Sequence, residues 1–193
     1  IFCGKGCLIP RPETEFVAEY IIKKLPRGGR FLDLCTGSGC IPAAVLKHRE
    51  DAACIAVDIS EEALHYAEKN FRYHRLESRA EIVHCDIGEY FPCGDFDIIS
   101  SNPPYIKSGD MKTLSCEVLQ EPHIALDGGE DGLLYYRLIL NRYLPYLKKN
   151  GIFVFEAGYD TADSVAFMLA EKGFETEIIR DYSGISRVVA GGR

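Results

Sequence analysis

The spacing of apolar positions changes along the chain. From Glu13 to Leu25 they recur at helical intervals, with Phe16 and Tyr20, and Val17 and Ile21, each four residues apart on one face. Short strand-like runs then alternate with amphipathic stretches. Residues 30–35, 53–58, 80–85 and 95–101 read as strands, with helical patterns near 39–49 and 61–76. Ser60 is placed to cap the second of these helices, with Glu61 and Glu62 in its first turn, where acidic side chains suit the helix dipole. A loop follows from Ile106 to about Gly132, then a helix to Lys149, a strand over 151–158 and a helix over 161–172 that Gly173 stops. Two closing runs, ETEIIR and SRVVAG, flank the turn-rich DYSG and predict a hairpin. Strand, helix, strand, helix is the pattern of a parallel sheet with right-handed crossovers. The expectation is one α/β domain over 1–193 with seven strands, mostly parallel, the last antiparallel to its neighbour.

Composition narrows the class of partner. A length of 193 residues suits a single core, and no stretch approaches the roughly 20 apolar residues that span a bilayer, so no membrane partner is expected. The net charge of -7 works against nonspecific nucleic-acid binding, which needs clustered cations. The densest basic stretch, Lys69 to Arg75, reads as a helix end whose cations face the negative pole of the dipole; a nucleic-acid patch is the alternative. Eight cysteines show no C-x-x-C pair and no zinc-type spacing with histidine, and several, such as Cys54 and Cys85, lie in apolar runs. They read as reduced, buried thiols of a cytoplasmic protein rather than a disulfide framework or metal site. The chain opens IFCGKGC, without Met and without a signal-peptide core, so the natural N-terminus is expected to lie upstream.

Candidate chemistry begins at LDLCTGSGC, residues 32–40. It puts a glycine-containing loop between the first strand and its helix, the edge where α/β sheets bind ligands. Gly37 and Gly39 can adopt positive φ and let a ligand approach the backbone. Asp58, at the end of the second strand, can accept both hydrogen bonds of a ribose diol. Asp86, at the end of the third, suits an adenine amino group or, alternatively, caps a helix, while Ile59 and Ile87 offer apolar plates for the ring. A dinucleotide fingerprint would place Gly or Ala where Pro42 stands, which argues against NAD. S-adenosylmethionine (SAM) fits: adenine, a ribose diol, and an amino-acid end lying over Cys35, Thr36, Gly37, Ser38 and Gly39.

After the fourth strand comes Asn102-Pro103-Pro104-Tyr105, with Asn102 on the same sheet edge as the cofactor site. The prolines fix φ, remove two N–H donors and push the preceding residues toward extended geometry, so local carbonyls are free to point into a pocket. Asn102 adds a side-chain carbonyl, and Tyr105 a flat face for a planar group. Two acceptors can then grip one –NH2. Methyl transfer from a sulfonium starts from an activated donor, so positioning can supply much of the acceleration, about 7–11 kcal/mol in favourable cases. The acceptor is harder, because an amide nitrogen delocalises its lone pair; the amide rotational barrier of roughly 18–20 kcal/mol measures full decoupling. Gripping both N–H bonds raises electron density on nitrogen and stabilises developing positive charge.

LIPRPETE (8–15), LDLCTGSG (32–39), AVDIS (56–60), SNPPYI (101–106), EPHIALDGGEDGL (121–133), FEAGY (155–159) and RDYSGISRVV (180–189) together resemble the HemK-type N5-glutamine methyltransferases of peptide chain release factors. NPPY is shared with DNA and RNA amino-methyltransferases; the first and fifth blocks are more specific. The resemblance implies a Rossmann-like, seven-stranded, SAM-dependent (class I) methyltransferase fold and methylation of the glutamine in a Gly-Gly-Gln tripeptide of a release factor. It places residues 35–39, Asp58 and Ile87 on the cofactor and Asn102, Pro103, Pro104 and Tyr105 on the glutamine. Arg11 either helps close the site over the cofactor or pairs with Glu13 or Glu15. Cys35 stands where many members have glycine; it is small enough that SAM binding is expected to survive, provided its φ stays negative. The family's N-terminal helical domain, which helps recognise the release factor, is not in this sequence. Two other readings use the same motifs: methylation of another planar nitrogen, in a ribosomal-protein glutamine or adenine N6, and a SAM-binding module without catalysis.

Overall fold

The computed structural model describes residues 1–193. Helix α1 (Thr14–Lys24) leads into β1 (Arg30–Leu34), α2 (Cys40–His48), β2 (Ala53–Asp58), α3 (Glu61–His74), β3 (Ala80–His84) and β4 (Phe96–Ser101). A long segment with three short 3-10 turns then reaches α4 (Leu134–Tyr143), β5 (Leu147–Glu156), α5 (Ala162–Glu171), β6 (Glu175–Arg180) and β7 (Ser186–Gly192). The sheet order is β3-β2-β1-β4-β5-β7-β6, parallel as far as β5, with β7 antiparallel to both its neighbours. The closing hairpin thus forms as expected, but its second strand is the one inserted beside β5. No helix is long and apolar enough to cross a membrane.

The strand period of two divides the core into two layers. Phe31, Ile98 and Val154 face α1, α2 and α3, where Val17, Ile21, Leu46 and Phe71 are buried. Leu32, Ile99, Phe153 and Phe155 face α4 and α5, against Tyr136, Ile139, Val165 and Leu169. Each such side chain contributes about 1.5–3 kcal/mol by leaving water. Alternation also decides where polar residues go. Asp33 and Ser100 fall on the α1–α3 side, and one step beyond the paired Ser101 and Phe155 so do Asn102 and Glu156.

Helix boundaries match the sequence pattern closely, with one exception. Ser60 caps α3 by accepting the Ala63 N–H at 3.1 Å. The helix expected to reach Lys149 stops at Tyr143, and β5 runs from Leu147 to Glu156 rather than over 151–158. Pro145 explains the early stop: it has no N–H for the helical ladder and its ring would strike the preceding turn, so residues 144–146 tighten into a 3-10 turn.

Candidate active site

The carboxyl ends of β1, β2, β3 and β4 open into one cleft. Its first half is the loop after β1. Cys35, Gly37 and Gly39 all have positive φ, at +57°, +57° and +71°. At Gly39 this is needed twice over, since a Cβ there would lie 2.8 Å from the Phe71 ring; glycine lets α2 start against α3. At Gly37 a Cβ would meet nothing within 4 Å, because that face of the loop is open to the cleft. The loop is pinned from both sides. The Gly37 N–H donates to Asp58 Oδ2 at 2.7 Å, and the Ser60 N–H to Asp58 Oδ1 at 2.9 Å. Beneath it, fully buried Asp33 accepts from Thr36 Oγ1 at 2.6 Å and from Ser100 Oγ at 2.7 Å. Burial pushes the Asp33 carboxyl up to about 7 against those two hydrogen bonds, and burial likewise raises Asp58.

The second half is the segment after β4. Pro103 and Pro104 are buried, Asn102 is half-buried, and the carbonyls of Asn102, Pro103 and Pro104 accept from no backbone N–H. The block 121–133 braces this segment from behind. The Ile106 N–H donates to the Leu126 carbonyl at 3.0 Å, and the Gly128 N–H returns to the Ile106 carbonyl at 2.7 Å. Gly128 sits so close that a Cβ would come within 2.6 Å of the Tyr105 Cα. Under the segment lies Glu156, 3% exposed. Its Oε2 accepts from Thr14 Oγ1 at 2.6 Å, and the Asn102 side chain lies beside its carboxyl. Burial raises it to about 7; the Thr14 hydrogen bond, Arg187 and Asn102 oppose that rise, and Glu13 adds to it.

Most of the expected residues meet on the cleft wall. Cys35, Thr36, Gly37, Ser38, Asp58 and Ile59 line it, as do Asp86, Ile87, Asn102 and Pro104. Gly39, Pro103 and Tyr105 stand behind that wall. Asp86 heads a turn, accepting the Gly88 N–H at 2.7 Å, and no helix follows for it to cap. Two expectations are corrected. Cys35 does not keep a negative φ: the hydrogen bonds of Thr36, to the Val57 carbonyl at 3.0 Å and to Asp33, hold the chain in the left-handed region just after β1. Arg11 pairs with neither Glu13 nor Glu15; it does not line the cleft itself, but it ties together the two segments that wall it, Gly6–Pro10 and Pro122–Ala125. Its Nη2 lies 2.8 Å from both oxygens of Glu121, because the Pro10–Pro12 stretch directs it across to the 121–125 turn while Glu13 pairs with Arg187 at 3.3 Å.

Sequence reasoning missed one wall of the cleft, formed by Gly6, Cys7, Leu8 and Pro10 and by Pro122, Ile124 and Ala125 of the opposite turn. These segments have no helical or strand period. It also missed the roles of Asp33 and Glu156, although an acid embedded in an apolar run, as in FLDL and FVFE, was the available signal. All eight cysteines are unpaired.

A sheet of this order thus carries a glycine loop, acidic strand ends and a proline-rich segment on one edge. The family model described as "Methyltransferase small domain" matches residues 12–154. A methyltransferase structure from Pyrococcus furiosus superimposes with a TM-score of 0.72 at 18% identity, over 100% of this chain and 87% of that one. Release factor glutamine methyltransferases of Caulobacter vibrioides and Thermodesulfovibrio yellowstonii are 41% and 38% identical over 97% and 96% of this chain. The chain belongs to the release factor glutamine methyltransferase family, and it spans 66% and 68% of the length of those two relatives.

Proposed function

We propose that this protein methylates the side-chain amide nitrogen of the glutamine in a release factor's Gly-Gly-Gln tripeptide, using SAM. The observation that carries the reading is the Asn102–Pro104 segment, whose Asn102 and Pro103 carbonyls take no backbone N–H, across one cleft from a glycine loop and a ribose-type carboxylate. The residues present fit SAM. Ser38 Oγ is buried and without a partner, the Cα face of Gly37 is open to the cleft, and each Asp58 oxygen keeps a lone pair beyond its one backbone hydrogen bond. The loop 35–39 would hold the amino-acid end, Asp58 the ribose, and Ile59, Asp86 and Ile87 the adenine. When bound, SAM supplies an activated methyl group.

The chain's own residues then prepare the acceptor. Asn102 Oδ1 and a proline carbonyl take the two N–H bonds of the glutamine amide, hold its face toward the cofactor half, and stabilise positive charge as it develops on nitrogen. The proton leaves after transfer, so no strong base is required, and none of the five histidines lines the cleft. The acidic surface, at net charge -7, favours a protein substrate over nucleic acid, and the place of action is the cytoplasm, where release factors work. Incubation with SAM and a release factor, followed by mass spectrometry of the Gly-Gly-Gln peptide, tests the reading. One methyl on that glutamine supports it; an unmodified factor beside a methylated RNA or ribosomal protein overturns it.

A further inference from the structure

We propose that Glu156 is a positioning residue that fixes which end of the Asn102 amide faces the substrate. The inference rests on the functional reading above and deepens it. An asparagine amide has two nearly isosteric ends, a donor Nδ2 and an acceptor Oδ1, and only the acceptor can receive a substrate N–H. Nothing in Asn102 itself selects one end. An ionised carboxylate is an acceptor only, so a hydrogen bond between it and Asn102 must use Nδ2–H, which leaves Oδ1 for the cleft.

Several elements lock Glu156 into this role. It lies one register step beyond the Ser101–Phe155 pair, beside Asn102 on the same face of the sheet. Thr14 Oγ1 donates to its Oε2 at 2.6 Å, and the Tyr136 hydroxyl donates to its backbone carbonyl at 2.8 Å. The charged and titratable groups facing it are Glu13 before α1, Cys40 at the start of α2, Arg187 on β7, Tyr105, and Tyr136 on α4. Arg187 is already held by Asp181 at 2.9 Å and Glu13 at 3.3 Å, so it forms no ion pair with Glu156. Burial therefore dominates and leaves the carboxyl titrating at about 7. Once protonated, Glu156 becomes a donor and competes for Asn102 Oδ1. The amide turns over, and an N–H rather than an oxygen meets the substrate.

The test compares kcat at saturating SAM across pH 5.5–8.5 for the wild type and Glu156→Gln. The wild-type kcat is expected to fall about tenfold per pH unit below about 7, as the ionised fraction does, and saturating SAM keeps titration of Asp33 and Asp58 in the cofactor half out of that reading. Glu156→Gln, which accepts and donates alike, should lower kcat about ten- to a hundredfold at pH 8 and abolish the acid limb. Glu156→Asp should retain a limb. A merely structural role would lower kcat without changing the profile, so an unchanged limb in Glu156→Gln overturns the proposal. A second measurement covers a variant that fails to fold and needs no release factor. The Glu156 carboxyl is titrated by carbon-13 NMR in the wild type and in Asn102→Ala, where loss of the amide donor must raise its pKa; an unchanged value also overturns the proposal. A wild-type protein that leaves release factors unmethylated would instead sink the functional reading, and this titration would still decide the inference.

Discussion

Two buried carboxyls lie on the same side of the sheet, one under each half of the cleft. Asp33 sits beneath the glycine loop and Glu156 beneath the acceptor segment, and burial brings both to about 7. They differ in what holds them. Both Asp33 partners are hydroxyls, Thr36 and Ser100, whose shortest hydrogen bonds end on it. Glu156 accepts from one hydroxyl, Thr14, and lies beside one amide, Asn102, which has a second end to present to the cleft. A hydroxyl given to a buried acid serves as a brace, whereas an amide given to one carries its orientation onward to the substrate. Asp33 should accordingly govern stability and cofactor affinity, and Glu156 the rate.

Replacing Asn102 by Ala separates the two halves most strongly. Loss of one oriented acceptor should lower kcat about 10²–10³-fold, with SAM affinity measured by calorimetry unchanged. A large loss of SAM binding instead would move Asn102 into the cofactor half. On the other side, Asp33→Ala strands the Thr36 and Ser100 hydroxyls in the core and should cost about 2 kcal/mol, or a melting point lower by about 4–8 °C. Its SAM affinity should fall as the loop loosens. A variant that melted like the wild type would show that the loop stands without its brace.

The order of elements and the acceptor segment were legible because both rest on local rules: strand and helix periods, a serine cap, and the conformational limits of two prolines. What was not legible depends on contacts distant in sequence. The insertion of β7 between β5 and β6 is set by pairing with a strand more than thirty residues earlier. The wall from Gly6 to Pro10 has no period to read, and Arg11 reaches Glu121 across 110 residues. The positive φ of Cys35 was not legible because it is fixed by Thr36 hydrogen bonds to β2 and to Asp33, which a linear reading of LDLCTG does not reveal.

Stability should also depend on pH through the pair. The ordinary values are 3.8 for Asp33 and 4.5 for Glu156, so between about 4.5 and 7 the folded protein keeps protons that the unfolded chain has released. Stability is then highest on the acid side and falls as pH rises to about 7, by at most about 1.4 kcal/mol per pH unit per group. Asp58 is shifted in the same direction, while Asp51 and Asp131, lowered to about 2, titrate below this window. Denaturant melts at pH 5.5 and 7.5 should show this decline, and Asp33→Asn and Glu156→Gln should each flatten it. Both variants share that effect, but only Glu156→Gln should alter the rate profile; equal effects of the two on rate would erase the proposed difference between brace and relay.

The smallest effect is expected at Cys35, the non-glycine residue that turns the loop. A φ of +57° costs a residue with a Cβ roughly 1–2 kcal/mol, which glycine avoids. Cys35→Gly also gives up thiol packing against the α4–α5 layer and gains backbone freedom in the unfolded chain, each worth about 1 kcal/mol. The opposing contributions nearly cancel, so the melting point should move by less than about 4 °C, with SAM affinity unchanged. Cys35→Ala isolates the strain, because it loses the thiol but keeps the Cβ. It should therefore be less stable than Cys35→Gly, despite alanine's usual advantage over glycine in ordered backbone. If the alanine variant proves the more stable, the left-handed turn after β1 is not strained, and the brace beneath it has less to hold than the Asp33 geometry implies.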